Sequence, residues 1–141
     1  MRGFTLIELL VVIAILVMLA AAFPIALDRT LPGRRVAVTA QNLISAVRDA
    51  ESQSLLRGRP VKLQMTSGGL LSGEKISVTF PATTTVALLD ADGHALEGII
   101  AYPDGSASGA RFVVSERNHA RAVVVSGNTG RVSLEVSGNG S

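Results

Sequence analysis

The sequence is poor in several residue types. It contains no cysteine and no tryptophan, and aromatic residues make up 4% of its 141 residues. Without cysteine, a disulfide framework, a thiolate metal site and a cysteine nucleophile are all excluded. Charged residues make up only 17%, and the net charge of +2 arises without any long basic run. The sequence therefore has no tail of the kind that binds polyanions, and its length suits one domain of ordinary size.

Hydrophobic residues, 48% of the chain, are concentrated near its beginning. From Phe4 to Leu27 the only residues that are not apolar are Thr5, Glu8 and Pro24. The 19 residues Leu9–Leu27 carry no charge. A helix of that length rises about 28 Å, close to the thickness of the hydrocarbon core of a bilayer. This segment predicts a transmembrane helix.

A secretory signal peptide and a plain membrane anchor are two ordinary explanations of this segment. The small residues Ala20-Ala21-Ala22 suit a signal-peptidase site, but the apolar run is long for a signal peptide and the basic region before it is short. Neither explanation accounts for Glu8, because a carboxylate costs about 2.5–3.5 kcal/mol at the centre of a membrane. No Lys, Arg or His lies one helical turn from Glu8. A neutralising charge would come from another chain or from a newly formed α-amino group.

The segment from Gly3 to Leu10 reads Gly-Phe-Thr-Leu-Ile-Glu-Leu-Leu and leads into the apolar run. It resembles the processing motif of type IV pilins and type II secretion pseudopilins. The resemblance implies that a prepilin peptidase cleaves between Gly3 and Phe4 and methylates the new N-terminal nitrogen of Phe4. It also implies that Glu8 pairs with this positive N terminus in a neighbouring subunit. Such a pair is favourable because unlike charges attract strongly where the dielectric constant is low.

The helical pattern continues beyond the apolar run. Pro24 predicts a kink, since proline removes a helical hydrogen bond, and Leu31-Pro32-Gly33 predicts a second interruption that bends the helix rather than ending it. From Arg34 to about Leu56 apolar residues recur at helical spacing, which predicts an amphipathic helix packed on a sheet. These apolar residues are Val36, Ala40, Leu43, Ile44, Val47 and Ala50. Gly58 and Pro60 predict the end of the helix.

After Pro60 the hydrophobic period changes from 3.6 to 2, which indicates strands. The predicted strands are Val61–Met65, Lys75–Phe80, Thr85–Leu89, Gly98–Tyr102, Ala110–Ser115, Ala122–Ser126 and Arg131–Val136. The predicted turns are Ser67-Gly68-Gly69, Asp92-Gly93, Asp104-Gly105 and Gly127-Asn128-Thr129-Gly130, where Gly127 and Gly130 would supply positive φ. One long N-terminal helix packed on a C-terminal antiparallel β-sheet head gives an α+β, pilin-like fold.

Two C-terminal segments narrow the resemblance. Pro103–Gly109 reads Pro-Asp-Gly-Ser-Ala-Ser-Gly, and Val123–Val132 reads Val-Val-Val-Ser-Gly-Asn-Thr-Gly-Arg-Val, with Arg111-Phe112 between them. With the N-terminal motif, they resemble the H-type minor pseudopilins (GspH) and the FimT-type minor pilins. The resemblance implies a minor pseudopilin at or near the tip of the periplasmic pseudopilus of a type II secretion system. The alternative is a minor pilin of a type IV pilus, FimT-like and involved in DNA uptake.

No pattern in the sequence indicates an enzyme, a metal site or a cofactor. Gly68–Lys75 departs from a phosphate-binding loop at the essential lysine, and Asp90 and Asp92 suit a turn better than a calcium site. His94 and His119 are interpreted as isolated, solvated loop residues without ligand-spaced neighbours. Nucleic acid is not an expected partner, although Arg111, Arg117 and Arg121 could meet in space.

The resemblance also implies an organisation and a location. Residues 1–3 are a leader, 4–27 the transmembrane and assembly helix, 28–57 its amphipathic continuation and 58–141 a β-rich periplasmic head. The expected location is the bacterial inner membrane, crossed once, with the head in the periplasm. The expected partners are other minor and major pseudopilins, the prepilin peptidase, and the membrane itself before assembly.

Overall fold

The computed structural model describes residues 3–136, apart from the side chains of residues 23–30. The chain divides into two compact units, Met1–Leu31 and Pro32–Ser141. Helix α1 spans Leu6–Arg57. No helix in the described part of the chain is apolar over a stretch long enough to cross a membrane. Pro24, the predicted kink, lies outside the described side chains.

In the first unit, α1 begins with a capped turn. The backbone N–H of Glu8 donates to Thr5 Oγ1 at 3.3 Å and to the Thr5 carbonyl at 3.1 Å, and the N–H of Leu9 donates to the same carbonyl at 3.2 Å. Thr5 is therefore the N-cap, a position where a hydroxyl oxygen satisfies backbone donors that the helix leaves free. The apolar side chains that follow, from Leu6 to Leu19, are exposed within this chain.

In the second unit, the amphipathic stretch of α1 is confirmed. All six apolar residues predicted to face a sheet are buried, from Val36 at one end to Ala50 at the other. The helix ends at Arg57, and Gly58 follows with φ +62°, the left-handed conformation that commonly terminates helices.

The described residues form eight strands in two antiparallel sheets. They are β1 (Val61–Thr66), β2 (Gly69–Ser72), β3 (Lys75–Thr79), β4 (Thr85–Leu89), β5 (Gly98–Ala101), β6 (Ala110–Glu116), β7 (His119–Val125) and β8 (Val132–Val136). The strand orders are β3-β2-β1-β5 and β4-β6-β7-β8. Seven strands match predicted ones within a few residues, whereas β2 was not predicted.

The core of the second unit is built from the helix and from both sheets. The helix contributes Leu43 and Val47, the first sheet Leu63 and Ile99, and the second sheet Phe112, all almost fully buried in one cluster. Apolar side chains at alternate strand positions face this cluster, as expected for sheets covered on one side. The α+β fold with a helix packed on an antiparallel head is confirmed.

The glycines of the β7–β8 turn differ from prediction in one respect. Gly130 has φ +65°, as predicted, but Gly127 is not among the residues with positive φ. A Cβ on Gly127 would lie 3.3 Å from the backbone nitrogen of Gly109. The prediction for Gly127 is wrong: this glycine lies where two backbones approach closely, and its φ angle is not positive.

Candidate assembly site and its supporting head

The predicted processing site lies in non-helical, exposed backbone. Gly3, Phe4 and Thr5 precede α1 and are exposed, and the side chain of Phe4 is 85% accessible. A Cβ added to Gly3 would meet nothing within 4 Å. Exposed segments outside regular secondary structure are preferred sites of proteolysis, so the Gly3–Phe4 bond has the accessibility that cleavage needs.

Glu8 lies in the first turn of α1, where a carboxylate interacts favourably with the positive end of the helix dipole. Its side chain is exposed, and in the described part of the chain it forms no salt bridge. The charge of Glu8 is thus available to a second molecule. The sequence analysis missed the role of Thr5, although Thr-x-x-Glu is the spacing of a capping box and could have revealed it.

Pro103–Gly109 and Val123–Val132, the two C-terminal segments that resemble H-type minor pseudopilins and FimT-type minor pilins, pack against each other. The N–H of Ala107 donates to the Gly127 carbonyl at 3.1 Å. A Cβ on Gly130 would lie 2.5 Å from the Gly105 carbonyl oxygen and 2.9 Å from Glu51 Oε1. These glycines let two turns and the helix approach closely, so the motif residues have a structural role in the head.

One polar side chain of the helix bonds to the same region, and a second is buried beside it. Ser54 Oγ donates to the Tyr102 carbonyl at 3.0 Å and is completely buried. Glu51 Oε1 is buried and has no hydrogen-bond partner in the part of the chain that the structure describes. Burial raises the pKa of Glu51, and the nearby charge of Arg48 partly opposes this shift.

An ion pair between the buried carboxylate of Glu116 and the partly exposed guanidinium of Arg35 joins the helix to the β6–β7 hairpin. Glu116, only 5% exposed, accepts hydrogen bonds from Arg35 Nη1 at 3.1 Å and from Thr84 Oγ1 at 2.8 Å. Burial alone would raise the pKa of Glu116, but hydrogen bonds from Thr84, Thr83 and Arg35 outweigh it and hold the pKa below its ordinary value. The sequence analysis missed this residue. The alternating pattern of the sequence could have revealed Glu116, because it follows Ala110, Phe112 and Val114 at every second position and so lies on the buried face of β6.

His94 is not isolated, and that interpretation is wrong. Its Nδ1 lies 3.3 Å from Asp90 Oδ2, and Asp90, Asp92 and His94 form an exposed cluster. The turn role expected of Asp90 is confirmed, since its Oδ1 accepts the N–H groups of Asp92 and His94 at 2.9 and 2.8 Å. His94 comes close because the turn closed by these bonds brings position 94 back toward position 90. These bonds, with the one from the His94 backbone foremost, lower the pKa of Asp90.

His119 is not a loop residue. It begins β7, and its ring lies beside Gly33 of α1, where an added Cβ would be 3.4 Å from Nδ1.

The three arginines that could have formed a basic cluster are placed apart. Arg111 lies at the start of β6 and pairs with Glu135. Arg117 follows the end of the same strand, about 20 Å along a strand of this length. Arg121 lies opposite Val114 on β7. No arginine patch of the kind that binds a phosphate backbone forms from these three residues.

Comparisons with known proteins agree with this geometry. Residues 1–23 match the family of the prokaryotic N-terminal methylation motif. No curated protein matches the chain. The fold resembles the minor pseudopilin EpsH from the Type 2 Secretion System of Vibrio cholerae, with a TM-score of 0.58 and 10% identity over 74% of this chain and 99% of EpsH.

Two further solved structures have the same fold. The type IV minor pilin FimU of Pseudomonas aeruginosa gives a TM-score of 0.55 and 18% identity over 72% of this chain and 89% of FimU. GspH of Escherichia coli gives a TM-score of 0.55 and 13% identity over 76% of this chain and 92% of GspH. The chain therefore carries the N-terminal methylation motif and has the fold of minor pilins and minor pseudopilins, which confirms the resemblance drawn from its sequence.

Proposed function

We propose that the chain is a minor pseudopilin, a structural subunit at or near the tip of the periplasmic pseudopilus of a type II secretion system. The observation that carries this proposal is the methylation motif on residues 1–23, joined to a head with the fold of EpsH. EpsH comes from a type II secretion system, and the similarity covers 99% of its solved chain. The partners of the chain would be the other minor and major pseudopilins.

The N-terminal segment would act twice. Before assembly, residues 4–27 would hold the chain in the inner membrane with the head in the periplasm, since the sequence is apolar from Phe4 to Leu27 apart from three residues. After cleavage the same apolar side chains, exposed from Leu6 to Leu19, would pack against helices of neighbouring subunits. Glu8 would neutralise the methylated N terminus of a neighbouring Phe4 and so fix the axial register of adjacent helices.

Processing provides the first test. When the chain is co-expressed with a prepilin peptidase, intact mass and N-terminal sequencing should give a product that begins with N-methyl-Phe4. Gly3→Leu should block cleavage because its side chain fills the space beside the scissile bond. Gly68→Leu is a matched control, since Gly68 is also exposed with nothing near its Cβ position, and it should be cleaved normally. Cleavage after Ala22, or none, would contradict the proposed processing.

A minor pilin of a type IV pilus is the second candidate, because FimU gives the higher sequence identity of the two systems compared. Deletion of the gene in its host distinguishes the minor pseudopilin from the type IV minor pilin. Loss of secreted exoproteins with surface pili retained supports a pseudopilin. Loss of pili or of DNA uptake with secretion intact would assign the chain to a type IV pilus instead.

A further inference from the structure

One end of the head, where its part of the helix begins, is rich in arginine. The second compact unit starts at Pro32, and Arg34 and Arg35 follow in its first helical turn. Arg35 Nη1 donates to Glu116 Oε1 at 3.1 Å, and Arg117 is the next residue of the chain. The turn between β6 and β7 therefore lies at the same end of the head as these two helical arginines.

The start of β7 belongs to this end as well. His119 is opposite Glu116 in the β6–β7 register, and its ring lies beside Gly33 of the helix. Arg121 follows two residues later and so lies on the same face of β7 as His119. Its neighbour on β8 is Val136. The basic end of the head is the surface formed by Arg34, Arg35, Arg117, Arg121 and Val136.

The basic end has an excess of positive charge. Arg34 and Arg121 form no salt bridge in the part of the chain that the structure describes. The two carboxylates next to this surface in the chain already have arginine partners, in the pairs Glu116–Arg35 and Glu135–Arg111. The whole chain has a net charge of only +2. Four arginines at one end therefore concentrate positive potential there, in a cluster that Arg117 and Arg121 do not form without the helix.

Apolar side chains continue this surface along β8. Val132, Leu134 and Val136 lie at alternate positions and share one face of the strand. Val132 is buried in the core, but Leu134 is 38% and Val136 69% exposed, so in the described residues this face is uncovered toward the end of β8. Arginines beside exposed apolar side chains are typical of segments that lie at the interface of a membrane, where phosphates and hydrocarbon are both within reach. Inorganic phosphate would use the arginines alone.

The position of the basic end in the chain selects a membrane surface over other anions. Leu27 is the last residue of the apolar segment, and Arg34 follows seven residues later. Seven residues span at most about 25 Å even when fully extended. If the apolar segment is held in a membrane, the basic end is thus tethered to the surface of that membrane. A nucleic acid or an acidic protein would have to arrive from solution.

We propose that the basic end docks on the phosphate headgroups of anionic lipids before the chain joins a filament. This inference rests on the proposed anchoring of residues 4–27. The guanidinium groups of Arg34 and Arg121 contact lipid phosphates, which suit the planar fork of arginine, and Val136 contacts the apolar boundary beneath them. Each arginine near an anionic membrane surface contributes about a fivefold preference for the docked head. Transfer of the helix into a filament breaks these contacts.

Energy transfer from the head to labelled lipids tests the proposal. The chain has no cysteine, so Asn118→Cys, in the turn beside Arg117, provides a single site for a donor dye. The full chain is reconstituted in vesicles that carry an acceptor on the lipid headgroups. We expect strong transfer with phosphatidylglycerol present, and weak transfer with phosphatidylcholine alone or at high salt. A dye on Asn128→Cys, an exposed asparagine beyond the other end of β7, should give weak transfer in both kinds of vesicle.

Charge variants identify the residues that dock. The ratio of docked to undocked heads should fall about fivefold in Arg34→Gln and about 25-fold in Arg34→Gln/Arg121→Gln, whereas Arg34→Lys/Arg121→Lys keeps the charges and should dock. The matched variant Arg59→Gln/Lys75→Gln removes two exposed cations elsewhere on the head and should dock as the wild type does. Circular dichroism checks that each variant is folded, and Arg34→Gln, at an exposed helix position, tests the proposal even if the double variant is not.

The possible failures are distinguishable. If the wild type does not float with vesicles of either composition, the proposed anchoring is wrong and the proposed function fails with it. If the wild type floats with both but the Asn118→Cys dye gives equal transfer in both, only the docking is wrong. Equal loss of transfer in Arg59→Gln/Lys75→Gln and Arg34→Gln/Arg121→Gln would also overturn the docking. Oligothymidine that abolishes transfer at a phosphate concentration equal to that of the lipid would overturn it in favour of a nucleic acid.

Discussion

Glu8 is the only charged residue between Gly3 and Ala22, and two physical roles are available to it. It lies one turn after the cap residue Thr5, where a glutamate can complete a capping box. It can also pair with a positive N terminus of another subunit, as proposed above. The two roles differ in whether the charge itself is required, because a neutral amide of the same size can still cap a helix.

Replacement of Glu8 distinguishes these roles. In a filament, Glu8→Leu would leave the methylated N terminus of a neighbour without a counter-charge, which typically costs about 3–5 kcal/mol when the site is buried. We expect this variant to be cleaved and to stay in the membrane but to be absent from filaments, as measured by cross-linking to partner subunits. Glu8→Gln should also fail and Glu8→Asp should be intermediate. Normal incorporation of Glu8→Gln would reduce Glu8 to a helix cap.

Glu116 makes the stability of the head depend on pH. Its pKa is lowered in the folded protein from an ordinary value of 4.5. The stabilisation is therefore present above that ordinary value and is lost as pH falls through the lower, folded-state pKa. We expect the Tm of the wild type to fall below about pH 4.5 more steeply than that of Glu116→Gln.

A matched control for Glu116 is Glu135→Gln. Glu135 pairs with Arg111, but both side chains are about half exposed, and exposed pairs contribute little to stability. Its Tm profile with pH should follow that of the wild type. If Glu116→Gln and the wild type lost stability in parallel, the ion pair with Arg35 would not be a source of the acid sensitivity.

At the scale of the elements, two glycines with nearly the same backbone angle offer a direct comparison. Gly130 and Gly73 have φ +65° and +64°, but a Cβ would meet nothing at Gly73, whereas at Gly130 it would lie 2.5 Å from the Gly105 carbonyl oxygen. Gly73→Ala should lower the free energy of unfolding by about 1 kcal/mol, the cost of holding alanine in the left-handed conformation. Gly130→Ala should lower the free energy of unfolding by at least twice as much, because the turns that contain Gly105 and Gly130 have to move apart. Urea unfolding measures both, and equal losses would contradict the close packing of the turns.

The elements were largely predictable because their hydrophobic period changes where the fold changes. The buried stripe from Val36 to Ala50 has helical spacing, and Ala110 to Val114 alternates as a strand. Strand β2 was not predictable in this way. It is four residues long, starts at a glycine in a segment that signals a turn, and gains its structure by pairing with both β1 and β3. Pairing between strands outweighs local propensity there.

The candidate site was predictable only in part. The processing motif is continuous in sequence, so Gly3, Phe4 and Glu8 could be named without a structure. Arg57, Arg59, Lys62 and Lys75 line one groove between the end of α1 and strands β1 and β3. These cations are not continuous in sequence, since Arg57 and Lys75 are separated by two strands and their turns. Counting charges along the chain gave no basic cluster. The fold creates one by bringing the end of α1 beside β3.

For the whole molecule, the distribution of buried residues predicts that the head folds without the N-terminal segment. Every residue of the described hydrophobic core lies between Val36 and Val132, and the second compact unit begins at Pro32. A chain that starts at Pro32 deletes no member of this core. It also removes the exposed apolar side chains from Phe4 to Leu19, which are the largest continuous source of insolubility in the described residues.

We therefore expect a chain beginning at Pro32 to be soluble, monomeric and cooperatively folded. Its circular dichroism should show mixed helix and strand, and its urea unfolding should be a single transition. A chain beginning at Ser45 is the contrasting variant, because it lacks the buried apolar residues Val36, Ala40, Leu43 and Ile44. Each deleted side chain of this size leaves a cavity that costs about 1–5 kcal/mol, comparable in sum with the whole stability of a small domain. If the chain starting at Pro32 aggregates, or if both chains are equally stable, the helix does not complete the core of the head.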